Sequence, residues 1–165
     1  RESYPDALRE FYGIADGYRG NRNVLYALAN ALFQRSNFSA AEGYYYRLID
    51  MLEDETNRIP LLRPQEDARH RSLVEHLLKA YNNLGVTLAR ISASPRDPAK
   101  ETQALVQFTQ SSEYYDMLSR DPDTLERGQT KNLAYLNTRG IIYPQSDFIP
   151  QIYLRIPKDP EALYF

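Results

Sequence analysis

Residues 22–55 read RNVLYALANALFQRSNFSAAEGYYYRLIDMLEDE, and the spacing within this stretch decides the fold. Leu25, Leu28, Ala29 and Leu32 recur at intervals of three and four, the period of one helix face. Arg35-Ser36-Asn37 interrupts that pattern, and it resumes with Ala41, Tyr45, Leu48, Ile49 and Leu52. The spacing therefore predicts a helix over 24–33 and another over 39–54. With only a few residues between them, the two helices must lie side by side and antiparallel.

Large and small residues alternate in this pair in a way that repeats. In a frame of about 34 residues starting at Arg22, Leu25, Leu28, Ala29 and Leu32 take positions 4, 7, 8 and 11. Phe38, Ala41, Tyr45 and Leu48 take positions 17, 20, 24 and 27. One period earlier, Ala7 and Phe11 fall at positions 20 and 24, the second half of a repeat. Tyr81, Leu84, Gly85 and Leu88 match positions 4, 7, 8 and 11 of a frame beginning at Leu78. The pattern resembles the tetratricopeptide repeat, in which small residues at 8 and 20 let paired helices approach and bulky ones fill the gaps. The resemblance implies an all-α solenoid of helical hairpins that binds other proteins or extended peptides. In the Leu78 frame the loop at 92–98 displaces the second helix, so either Ala104 and Phe108 supply positions 20 and 24, or Tyr114 and Pro122 supply 24 and 32.

The expected organisation is a helical domain over 1–142 followed by an extended tail over 143–165. The domain divides into a half repeat at 1–18, a full repeat at 22–55, a divergent repeat at 65–122 with a loop at 92–98, and a closing helix at 122–140. Pro60 and Pro64 mark a linker over 56–64, and Gly140 reads as the stop of the last helix. Asp97-Pro98 and Asp121-Pro122 carry the chemistry of helix starts. Beyond residue 142, Pro144, Pro150, Pro157 and Pro160 exclude a long helix. That tail is nonetheless apolar. Ile152, Leu154 and Ile156 alternate with Tyr153 and Arg155, the period of extended chain. Residues 148–157 are expected to lie against the helices of this chain or of a neighbour, with Phe148, Ile152, Leu154 and Ile156 making the contacts; the alternative is that they belong to a further domain downstream.

The resemblance also indicates which side chains line the concave groove. In the first full repeat these are Asn23, Tyr26, Ala27, Asn30, Phe33 and Gln34. In the second they are Lys79, Asn82, Asn83, Val86, Ala89 and Arg90. An asparagine amide both donates and accepts, so it can pair with the C=O and the N–H of a peptide backbone. Asn30 and Asn83 fall where chaperone-binding members of the family carry clamp asparagines. The rest of that clamp is missing. Tyr26 stands in place of the family's lysine, and the third helix lacks a cationic pair, so capture of a terminal carboxylate is not implied.

Composition narrows the remaining classes. The formal charge of −2 opposes a dedicated nucleic-acid binder, which gains affinity by neutralising phosphates. The sixteen Arg among twenty basic residues favour planar contacts with carboxylates. With no cysteine there is neither a disulfide nor a thiolate metal site. No apolar run approaches the ~20 residues of a membrane helix. His70 and His76, six apart on one helix, do not form a paired metal site and read as surface groups. Glu53, Asp54 and Glu55 read as a solvated cluster, or one that attracts a basic partner. No phosphate loop or nucleophile elbow is present.

The expectation is an interaction scaffold without cofactor or catalysis, whose partner is another protein or peptide, with self-association through the tail also open. An RNA-binding helical repeat, given slight support by Arg69, Arg71 and Arg90, and a regulatory domain of a larger enzyme are the alternatives. Irregular repeats with many tyrosines also resemble bacterial envelope assemblies such as the periplasmic collar of some flagellar motors, which would imply a structural subunit there.

Overall fold

The computed structural model describes residues 22–58, 68–120, 131–143 and 149–155. Five helices account for most of them: α1 (Arg22–Gln34), α2 (Phe38–Arg58), α3 (Ala68–Ser92), α4 (Pro98–Ser119) and α5 (Leu133–Ile142). No strand occurs among the described residues, where the only β-type pairing is an isolated bridge between Ala93 and Arg96. No described helix is long and apolar enough to cross a membrane.

Local chemistry sets the helix ends. The Ser36 N–H bonds the Phe33 C=O and the Asn37 N–H bonds the Leu32 C=O, each at 2.9 Å. This pair of bonds closes α1 with Ser36 in the left-handed region at φ 61°. The three residues between α1 and α2 leave no option but a reversal of direction, and the ion pair between Arg22 at the start of α1 and Glu55 near the end of α2, 2.9 Å, spans the hairpin accordingly. Asp97 caps α4 by accepting from the Ala99 and Lys100 N–H groups at 3.1 and 3.2 Å, with Pro98 at the first helical position.

Three boundaries differ from the sequence reading. Helix α2 continues to Arg58, into the stretch read as linker. The closing helix, placed at 122–140, starts at Leu133 because Asn132 caps it, its side chain accepting from Tyr135 N–H at 3.1 Å. It runs through Gly140 to Ile142. Residues 1–18, Pro60, Pro64, Phe148 and Ile156 lie outside the described residues.

One apolar cluster joins all five helices, with Leu25, Leu28 and Leu32 of α1, Tyr45, Leu48 and Leu52 of α2, and Leu77, Leu84 and Leu88 of α3 among its members. Ala104 and Phe108 of α4 and Ala134 of α5 complete it. A fully buried Leu or Phe contributes about 1.5–3 kcal/mol, so this cluster supplies most of the drive to fold. Helix α3 is the central element, packing on α1, α2, α4 and α5. Every residue from His76 to Leu88 is buried.

On the α4 side the approach is close. A Cβ on Gly85 would lie 2.6 Å from Phe108 Cε1, so only glycine admits that ring. Ser111 Oγ donates to the Leu78 C=O at 2.5 Å, and Tyr81 stacks on Tyr114 with ring centroids 5.9 Å apart. Of the two sets left open by the sequence, Ala104 and Phe108 are both fully buried and the Phe108 ring sits on Gly85, while Tyr114 is half-buried.

The central position of α3 also corrects the reading of its histidines. His70 and His76 are buried, not on the surface, because the polar side of α3 faces inward as well. His76 stands edge-on to the Tyr26 ring, with centroids 5.8 Å apart.

Candidate functional site

A helix buried on every side normally carries apolar residues all round. Helix α3 instead presents Ser72, His76, Lys79, Asn82, Asn83 and Thr87, all buried. Their three- and four-residue spacing puts most of them on one stripe, and polar groups taken from water must find partners there. The partners of Lys79, Asn82 and Asn83 are main-chain groups of residues 151–155.

Asn83 pairs with Tyr153 in both directions. Its Oδ1 accepts from the Tyr153 N–H at 2.7 Å and its Nδ2 donates to the Tyr153 C=O at 2.8 Å. Asn137 on α5 does the same for Gln151, accepting from the N–H and donating to the C=O, each at 2.9 Å. Lys79 Nζ donates to the Arg155 C=O at 3.1 Å. Alternate residues 151, 153 and 155 are thus held by their backbones, with the two-residue period of a strand. Each amide substitutes for one rung of a neighbouring strand, supplying a donor and an acceptor together.

Further bonds fix the amides themselves. The Tyr153 C=O also accepts from Tyr26 Oη at 2.6 Å and from Asn30 Nδ2 at 3.2 Å. Asn30 Oδ1 accepts from Asn83 Nδ2 at 3.1 Å and from the Tyr45 hydroxyl, so α2 reaches into the network through Tyr45. Asn82 Nδ2 donates to the Gln151 C=O at 3.0 Å, and its Oδ1 accepts from Asn137 Nδ2 at 2.9 Å. Every amide is held in one orientation by a neighbour.

The Tyr153 side chain enters a second, smaller apolar cluster with Val74, Leu78 and Leu118, bordered by Tyr114, Tyr115, Met117 and Leu133. At the ring tip, the hydroxyl accepts from the Leu133 N–H at 2.9 Å and donates to the Lys131 C=O. Lys79 Nζ lies 5.8 Å from the ring centroid, within reach of a cation–π attraction. The same ammonium is 3.5 Å from Glu75. Burial, the first cause for each, pushes the phenols of Tyr26, Tyr45 and Tyr153 well above their ordinary value. All three are therefore neutral hydroxyls at physiological pH.

No protein-family model, curated protein or solved structure matches the chain.

Of the side chains expected to line a groove, Tyr26, Asn30, Lys79, Asn82 and Asn83 converge on the segment. Asn23 is half-buried in the first turn of α1. Phe33, Gln34 and Arg90 stand apart, and none of them bonds the segment among the described residues. Phe33 meets Phe38 edge-on with centroids 5.3 Å apart, Arg90 lies over Phe38 at 5.4 Å, and Gln34 is exposed.

The tail contacts differ in register from the reading. Ile152 is half-buried against the main cluster, but the Leu154 side chain is 58% exposed, and only its C=O approaches Asn30, at 3.5 Å. Tyr153 is the buried anchor, because its hydroxyl finds a donor and an acceptor that an aliphatic side chain could not use. Tyr153 and Asn137 are the residues that sequence reasoning missed.

The acidic stretch is engaged within the chain as well. Glu53 accepts from the Tyr81 hydroxyl, and Glu55 pairs with Arg22. Among the described residues no group of three or more His, Cys, Asp or Glu could hold a metal ion.

Proposed function

We propose that this chain is a protein-interaction scaffold of tetratricopeptide type, whose groove holds an extended polypeptide segment by its backbone. The observation that carries the reading is the pair of two-way amide clamps, Asn83 on Tyr153 and Asn137 on Gln151. Such clamps read a main chain and not a sequence, which is the chemistry of adding a strand to an acceptor surface. The chain's own residues 151–155 are the occupant that displays this chemistry, and a partner segment competes for the same amides. The tetratricopeptide reading draws support from the α1–α2 hairpin, where Ala29 and Ala41 are fully buried between large residues, and from Gly85 beneath Phe108.

The test uses the full chain carrying Tyr153→Ala, which weakens the internal occupant. A fluorescent peptide of residues 149–155 is titrated into it and anisotropy is followed. Saturable binding in the micromolar range is expected, and adding Asn83→Ala should abolish it. A Tyr153→Ala chain that keeps its helical circular dichroism yet binds no peptide would refute the proposal.

A further inference from the structure

The amide clamps are indifferent to side chains, so whatever selectivity the groove has must come from the pocket between them. That pocket accepts the residue whose N–H and C=O Asn83 brackets. Its walls are Val74 and Leu78 of α3, Leu118 of α4 and Leu133 of α5, a slot between three helices suited to a flat ring. Its floor is polar. The Leu133 N–H, in the first turn of α5, points at the ring tip from 2.9 Å and shares its proton with the Lys131 C=O at 3.0 Å. The Lys131 C=O accepts there. A donor and an acceptor at the end of an aromatic slot match a phenol and nothing else among the natural side chains. Phenylalanine fills the slot but forfeits both of the hydroxyl's bonds, leaving the Leu133 N–H and the Lys131 C=O only their mutual bond at 3.0 Å, and leucine has no polar atom to offer.

We propose that the groove selects tyrosine: an extended partner segment that occupies it must place a tyrosine at the Asn83 position. This inference rests on the segment-binding function proposed above. It adds the chemical class of partner, a tyrosine-bearing strand. Losing the two part-buried hydrogen bonds of the hydroxyl corresponds to roughly 10–100-fold in affinity.

Two measurements test it. In the first, the full Tyr153→Ala chain is titrated with two peptides of residues 149–155, one with the natural tyrosine and one with phenylalanine in its place. The tyrosine peptide should bind about 10–100-fold more tightly. Equal affinities overturn the selectivity and leave the segment-binding function standing. Binding of neither peptide overturns that function and the claim about partners with it. Dimerisation of the unmodified chain that rises with concentration and vanishes in Tyr153→Ala would make a second copy the occupant and overturn the assignment to a foreign segment. In the second measurement, amide exchange is followed in the full Tyr153→Phe chain. The Tyr153→Phe change should speed exchange at Leu133 and at residue 153 by about tenfold or more. Unchanged protection at both amides would show that the hydroxyl holds nothing, and would overturn the inference whatever the peptides do.

Discussion

The two sides of α3 are buried by opposite means. Toward α4 it closes on an apolar contact so tight that Gly85 has no room for a methyl group beneath Phe108. Toward residues 151–155 it closes through amides, a hydroxyl and an ammonium that bond a main chain. The first kind of contact is set by volume and fits one neighbour. The second is set by donors and acceptors, which any extended backbone offers at the same spacing. Core packing therefore belongs to the α4 side, and the exchange of occupants we propose would belong to the other.

Alkaline pH should have the largest effect, and it reaches both sides of α3, because burial raises the Tyr81 and Tyr114 phenols of the α4 contact as well. Tyr26, Tyr45 and Tyr153 have phenol pKa values raised in the folded state, above the ordinary value near 10. A raised folded value means the folded state keeps its protons where the unfolded chain gives them up. On this account stability is level below pH about 10 and falls as pH rises further. Denaturant melts from pH 8 to 11.5, followed with phenolate absorbance, check this. Full phenolate absorbance at about pH 10 with the fold intact would place these hydroxyls in water and remove the buried polar network from the account.

Next in size is Asn83→Ala. It removes both halves of the Tyr153 clamp and the bond to Asn30. Buried groups left without partners cost about 1–3 kcal/mol each, so a loss of about 3 kcal/mol is expected in urea melts. Exchange at Tyr153 N–H should rise, while amides in the α3–α4 contact keep their protection. Gly85→Ala is the mirror experiment. Forcing a methyl group against the Phe108 ring should cost about 1–3 kcal/mol. Peptide capture by the groove should survive it in a chain that remains folded. Equal damage to both sides by either substitution would show that the two contacts are a single unit.

The apolar side was the more legible in the sequence. Helical period, the Asp97-Pro98 cap and the small residues Ala29, Ala41 and Gly85 are local signals, and α1 to α4 follow them closely. Asn30 and Asn83 could be singled out because the repeat frame puts them on one face. Asn137 could not, since no periodic pattern connects it with Gln151, its partner 14 residues further on. The cap at Asn132 was legible in principle, as an asparagine directly before Leu133 and Ala134. Tyr153 was hidden by the alternation itself. Hydrophobic ranking turns Ile152 and Leu154 inward, yet only Ile152 packs against the main cluster, while Leu154 is exposed and Tyr153 is buried in the second cluster. Here the register is chosen by hydrogen bonds to the backbone and the tyrosine hydroxyl, quantities no hydropathy scale contains.

The smallest effect sharpens this last point. Leu154 is one of the apolar contacts expected in the tail, yet its side chain is exposed and its role in the groove is confined to the C=O near Asn30. Serine keeps that carbonyl, so Leu154→Ser should change stability by no more than about 0.5 kcal/mol, the ordinary size for a surface substitution. The peptide of residues 149–155 with serine at that position should bind as tightly as the natural one. A loss of more than about 1 kcal/mol would mean that Leu154 is covered in solution. The segment would then be gripped by its side chains, and the distinction between a side of α3 that packs and a side that reads backbone would fail at its most exposed residue.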